Sequence, residues 1–192
     1  MGTSLETSGM SDVVDILIEN GTLLTLNKDR HIVTDGAVAI RGDRIVGVGK
    51  TAELRKAFKG KKTIDASMKV VMPGLVDGHS HLGEIARGLI PDTLKTSDWL
   101  KFWCYPYMAA ITEEDEYWYA KCLMAEMIRS GTTCFVEPGC MWLSSTIKAV
   151  DEVGMRATTG SWVWDHAGPD GHKCPEYFKK MTLKQCLELT ES

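Results

Sequence analysis

The sequence predicts an α/β protein in two parts: a small β-rich unit over residues 12–69, then strands alternating with helices over residues 70–192. Three observations lead there. Short β-branched runs separated by Asn-Gly and Gly-Asp turn chemistry fill the first part. A nearly continuous apolar run, Val70 to Asp77, opens the second. Beyond it, strand-like runs alternate with helix-length amphipathic segments, the pattern of βαβ units around a parallel sheet.

In chain order, residues 1–11 are polar and read as a mobile tail. Val13 to Ile18 is a first strand, closed by Glu19-Asn20-Gly21, whose Asn-Gly pair favours a turn at positive φ. Ala37 to Arg41 and Arg44 to Val48 flank Gly42-Asp43, the residue chemistry of a two-residue hairpin loop. A brief helix from Ala52 to Phe58 and a strand from Thr63 to Asp65 complete a unit of marginal size for independent stability.

The run from Val70 to Asp77 reads as one strand buried on both faces and marks the boundary between the parts. Thr112, with Asp115 three residues on, starts a helix to Ser130, with Ala120, Leu123, Met124, Met127 and Ile128 on one face and Gly131 past its end. Thr132 to Val136 then reads as a strand, Ser144 to Val153 as a helix ended by Gly154, Met155 to Trp164 as a strand and Thr182 to Leu189 as a further helix.

Composition narrows the function classes. Hydrophobic residues make up 44% and charged residues 25%, so the chain has the apolar mass of a packed protein. The formal charge is −4 and no Lys/Arg stripe occurs, so nucleic acid is not an expected partner. No apolar run reaches the roughly 20 residues of a bilayer span and no signal peptide opens the chain, so a soluble, cytoplasmic protein is expected. Six cysteines at 104, 122, 134, 140, 174 and 186 form no CxxC pair and read as reduced, largely core residues.

The chemistry concentrates in Pro73-Gly74-Leu75-Val76-Asp77-Gly78-His79-Ser80-His81-Leu82, with two histidines one residue apart at the C-terminal end of a parallel strand. Side chains at i and i+2 of a strand share a face, so His79 and His81 can reach one cation while Ser80 faces away. Two imidazole nitrogens suit zinc first, then iron, cobalt or nickel.

That segment resembles the first barrel strand of the metal-dependent amidohydrolase superfamily, whose members join a TIM-like barrel to a small β-sandwich. Asp15 to Leu24, Gly36 to Val46 and Thr63 to Ser67 resemble the sandwich strands before it. Arg87-Gly88, Asp98-Trp99-Leu100, Tyr105-Pro106, Thr112 to Asp115 and Ala125 to Thr133 follow in family order and resemble its deaminase and chlorohydrolase (atrazine chlorohydrolase-like) branch. The resemblance covers about Val14 to Asp165. It implies a sandwich-like domain over 12–69 followed by the first three βα units of an incomplete TIM-like barrel over 70–192.

It also implies chemistry. In that branch one divalent metal is held by the HxH pair, a histidine from the fifth strand and an aspartate from the eighth, and a metal-bound hydroxide attacks an electron-poor ring carbon. His79 and His81 would be the first two ligands, with zinc expected and iron the alternative. The remaining ligands and the proton-transfer groups are expected beyond Ser192, so this N-terminal part is expected to be inactive alone. The full-length protein is expected to be a homo-oligomer acting on carbon-nitrogen bonds, by deamination or dechlorination of an aminated heterocycle. A rival expectation is a non-catalytic binding or dimerisation module derived from such an enzyme.

Two positions bear on the substrate. Trp99 matches a tryptophan near the bound ring of nucleoside-type members, where it could stack, with core packing as the alternative. Met108 stands where those members carry a glutamate for ribose hydroxyls. A thioether accepts such hydrogen bonds poorly, which favours a free base, pterin or triazine-like ring. Glu137 stands where the family often has aspartate, and Met68 replaces a common glycine. His166 and His172 match no ligand position and read as solvated loop residues, while His31 has no assigned role. Trp103, Trp118, Trp142, Trp162 and Trp164 read mainly as packing residues.

Overall fold

The computed structural model describes residues 11–83, 90–91, 93–162 and 184. The chain divides into two compact units, Met1–Pro73 and Gly74–Ser192.

The first unit contains β1 (Asp12–Leu24), β2 (Ile32–Arg41), β3 (Arg44–Lys50), α1 (Thr51–Ala57), β4 (Phe58–Asp65) and β5 (Val70–Val71). One sheet runs β3-β2-β1-β4, with β5 also pairing β1. The neighbours β1, β2 and β3 are antiparallel, whereas β4 and β5 run parallel to β1. The hairpin forms as the Gly42-Asp43 chemistry predicts: Arg41 pairs with Arg44, and Gly42 takes φ +57°, where a side chain would be strained. The unit expected to be sandwich-like is, over the described residues, a single sheet. Leu54 of α1 packs with Val14, Leu17, Ala37 and Ala39, so a helix supplies the apolar cover that a second sheet would give.

Asn20-Gly21 does not turn the chain. Asn20 does adopt φ 64°, but the β1–β2 register slips on either side of Gly21 and the strand runs on to Leu24. The Asn20 N–H donates to Thr51 Oγ1 (3.0 Å), and its side-chain amide donates to Asp65 Oδ1 (2.8 Å). Those distant partners hold a bulge where the local sequence favours a turn.

The apolar run over 70–77 forms two strands. Val70–Val71 joins the first sheet, Pro73 interrupts the ladder because it has no N–H, and Leu75–Asp77 begins the second sheet as β6. The predicted burial on both faces does not hold either. Leu75 and Val76 are 50% and 68% exposed, because β6 ladders with β7 on one side only among the described residues.

The second unit continues with α2 (Thr96–Trp99), a π-helical turn (Leu100–Cys104), α3 (Tyr105–Ala110), α4 (Glu113–Arg129), β7 (Thr132–Cys140), α5 (Leu143–Val153) and β8 (Arg156–Ser161). Its sheet has the order β6-β7-β8, all parallel, with β7 central. The architecture is mixed α/β. Phe135 of β7 packs with Ala120, Met124 and Met127 of α4 and with Ala149 and Val150 of α5. Burying a side chain of that class contributes roughly 1.5–3 kcal/mol. Ile128 leaves this face and is 52% exposed, since Met127 takes the seam and the next residue points about 100° away.

Helix α4 starts with the capping box predicted at Thr112: Asp115 N–H donates to Thr112 Oγ1 (3.2 Å), and Thr112 N–H donates to Asp115 Oδ2 (2.9 Å). The helical run over 96–110 has no apolar period that announces it. Pro106 sits near the start of α3 inside this continuous run, where it removes one N–H from the helical ladder, and the π-turn leads into it. Cys104, Cys122, Cys134 and Cys140 are free thiols; Cys104 and Cys140 are buried, while Cys122 lies on the outer face of α4. Among the described residues no helix is long and apolar enough to cross a membrane. The expected helix over 182–189 lies outside the described residues, as do Arg87-Gly88, Trp164, His166 and His172.

Candidate metal centre

The strand β6 ends at Asp77, and both histidines lie just past it. The chain there stays aligned with β7, because Ser80 N–H donates to the Val136 carbonyl at 2.8 Å. Asp77 Oδ1 accepts the His79 N–H (3.1 Å), a short turn that sets the direction of the chain. Alternation survives: Ser80 is buried, His79 is exposed and His81 is half-buried. The two imidazole centroids are 5.0 Å apart, edge to face at 87°.

His81 is held from below. Its Nδ1 lies 2.9 Å from Glu137 Oε1 and 3.1 Å from the Gly139 carbonyl. Both partners accept, so Nδ1 is the nitrogen that donates to them, and a metal would be met through Nε2. Glu137 is 1% exposed, and it also accepts the N–H groups of Leu82 and of Gly139 (3.0 Å).

A bulge in β7 creates this arrangement. Glu137 pairs with Thr159 and Cys140 with Ser161, so β7 has one residue more than β8 over the same span. The extra residue turns both the N–H and the carbonyl of Gly139 toward Glu137 and His81. Gly139 must be glycine, for a Cβ there would stand 1.6 Å from Trp162 Cδ1.

A cavity of about 20 Å³ adjoins His81, lined also by Met108, Glu116, Glu137, Cys140 and Trp162. That is the volume of one water and not of a ring. The Trp162 ring lies 5.5 Å from His81, edge to face. Glu116, 1% exposed, accepts from the Thr146 hydroxyl at 3.3 Å.

Burial pushes the Cys140 thiol up to about 12. The Thr146 hydrogen bond opposes the shift, while the charges of Glu116 and Glu137 add to it. That shift favours the thiol form, which donates to the Gly160 carbonyl (3.3 Å).

Of the residues singled out from the sequence, His79, His81 and Met108 fall at this site. Met108 is buried and accepts from the Cys104 thiol (3.4 Å). Trp99 packs against the cluster of Cys104, Tyr105 and Met108 and does not line the cavity. Sequence reasoning missed two participants. Glu137 stood out only as a departure from a family pattern, and Trp162 as a packing residue. The available signal was a carboxylate directly after the apolar run Cys134 to Val136, since a buried carboxylate demands donors.

As donors for a metal, His79 and His81 offer two imidazole nitrogens, and the contacts of His81 Nδ1 with Glu137 and Gly139 are of the kind that orient a metal-ligating imidazole. Among the described residues no group of three or more His, Cys, Asp or Glu side chains completes a set. The fit is half of a tetrahedral site.

Residues 70–188 match the profile of the Amidohydrolase family, and residues 36–58 match that of the imidazolonepropionase-like composite domain of bacteria. The chain is 38% identical over 162 residues to a 5-methylthioadenosine/S-adenosylhomocysteine deaminase of Syntrophobacter fumaroxidans, covering 83% of this chain and 36% of that protein. It is similar to the crystal structure of an adenosine deaminase from Xanthomonas campestris with bound zinc, at TM-score 0.75 and 30% identity, over 88% of this chain and 38% of the other. It also shares its fold with the zinc complex of atrazine chlorohydrolase from Arthrobacter aurescens, at TM-score 0.70 and 24% identity, over 85% and 39% of the two chains. The chain thus spans just over a third of the length of the relatives it matches.

Proposed function

The chain belongs to the amidohydrolase family, and from that premise we propose that the protein carrying it is a metal-dependent hydrolase of carbon-nitrogen bonds in an aminated heteroaromatic ring. The observation that carries this reading is the imidazole pair, its ring centroids 5.0 Å apart, with His81 Nδ1 engaged by Glu137 and Gly139. We read the three parallel strands as the opening of a larger barrel, which puts the pair at the C-terminal ends of strands, where such folds gather their chemistry.

His79 and His81 would hold one divalent metal, with zinc favoured by the all-nitrogen pair and by the zinc bound in the Xanthomonas relative. A bound metal would supply Lewis acidity toward water, lowering its pKa and making it a nucleophile suited to an electrophilic ring carbon. The residues of this chain orient and exclude. Glu137 and Gly139 fix His81, while Trp162 and Met108 wall the inner side of the site with apolar surface. Met108 offers no strong acceptor for sugar hydroxyls, which favours a free ring. The adenosine-derivative deaminases among the relatives make nucleosides the necessary second arm of any assay.

The test is metal content together with ammonia release, on adenosine derivatives and on free amino-purines, pterins and triazines. In the full-length protein, His79→Ala and His81→Ala are each expected to drop metal from roughly one per chain to near zero and to abolish turnover. Metal content unchanged in either variant sinks the assignment.

A further inference from the structure

Glu137 is assigned no proton transfer in the proposed reaction, yet it is a carboxylate at 1% exposure. Burial of that kind is tolerated when hydrogen bonds satisfy the oxygens. Three N–H groups converge on it: His81 Nδ1, the Leu82 amide and the Gly139 amide. Leu82 follows His81 directly, and Gly139 sits in the bulge of β7. One carboxylate therefore ties the chain after β6 to the turn in β7, with the imidazole between them.

We propose that Glu137 is the positioning residue of the metal centre: it holds His81 as the Nδ1–H tautomer in one ring orientation, which assigns Nε2 to the metal. The inference rests on the reading of His79 and His81 as metal ligands. A glutamine at 137 cannot substitute. Whichever way its amide is turned, its NH2 faces the N–H of Leu82 on one side or the donors of His81 and Gly139 on the other. Turned toward His81, that NH2 donates to Nδ1 and moves the ring proton to Nε2, the nitrogen the metal needs.

The experiment is a long-range ¹H–¹⁵N spectrum of the imidazole nitrogens in the metal-free 192-residue chain, assigned with His81→Ala, followed by titration with zinc chloride. In the wild type, His81 is expected to carry its proton on Nδ1. In Glu137→Gln the proton shifts wholly or partly to Nε2, and zinc affinity falls about tenfold or more. Glu137→Asp, which keeps the charge, recovers part of that affinity.

A wild-type proton on Nε2 overturns the inference without any variant, so a Glu137→Gln chain that fails to fold does not shelter it. A folded Glu137→Gln chain with the wild-type tautomer and zinc affinity within about twofold overturns it as well. Zinc affinity unchanged in both His79→Ala and His81→Ala would instead refute the metal centre itself, while the tautomer stays readable.

Discussion

At Gly139 the backbone passes so close to Trp162 that an added methyl would stand 1.6 and 1.9 Å from the indole Cδ1 and Nε1. Gly139→Ala must displace the indole or the bulge, and overpacking of that kind costs about 1–3 kcal/mol. The urea midpoint is expected to fall, and Trp162 fluorescence to change in the native baseline. Gly42→Ala makes a useful contrast, since nothing lies within 4 Å of its Cβ and only the φ of +57° resists the substitution. An equal midpoint for wild type and Gly139→Ala would contradict the close approach. The histidine pair is legible in the sequence because spacing two is a local geometric fact, whereas Glu137 and Trp162 reach His81 only through a bulge and a strand pairing. No local pattern encodes either.

Among the elements, α4 owes its start to the reciprocal bonds of Thr112 and Asp115, which also lower the Asp115 pKa. Thr112→Ala is expected to cost about 1 kcal/mol in chemical denaturation; a loss below a few tenths would mean that tertiary packing alone sets the helix start. Asp65 does comparable work at the end of β4. Its carboxylate accepts from the Ser67 hydroxyl, the Asn20 amide and the Ser67 N–H, which together bring its pKa down from 3.8 to about 2. A folded-state pKa below the unfolded one stabilises above the unfolded value, and that contribution is lost as pH falls through the folded value. The gap in unfolding midpoint between wild type and Asp65→Asn is therefore expected at neutral pH and should close between about pH 4 and 2. A gap constant across that window would exclude the carboxylate as its source. Local chemistry also explains which elements the sequence reveals. Gly42-Asp43 and Thr112 with Asp115 each act within four residues. Asn20-Gly21 carries turn chemistry too, but Thr51 and Asp65 hold Asn20 from 31 and 45 residues away, so the predicted turn becomes a bulge.

For the whole molecule, the described parts of the site come from one compact unit: His79, His81, Met108, Glu137, Gly139 and Trp162 all lie within Gly74–Ser192. Among the described residues of that unit, the imidazoles of His79 and His81 are the nitrogen donors brought together, and burial pushes the pKa of the nearby Cys140 thiol up to about 12. Two donors are half of the usual tetrahedral number, so zinc held by them alone would keep the other half of its positions for solvent and exchange readily. The 192-residue chain supplied with zinc is accordingly expected to release no ammonia above the buffer rate from adenosine derivatives or free aminated rings. It should still show zinc-dependent shifts of the His79 and His81 resonances. Turnover by the 192-residue chain that disappears with His81→Ala would reverse this expectation, because it would require a third donor and a proton-transfer group from residues outside the described set. Those residues would then be located by the further resonances that zinc moves.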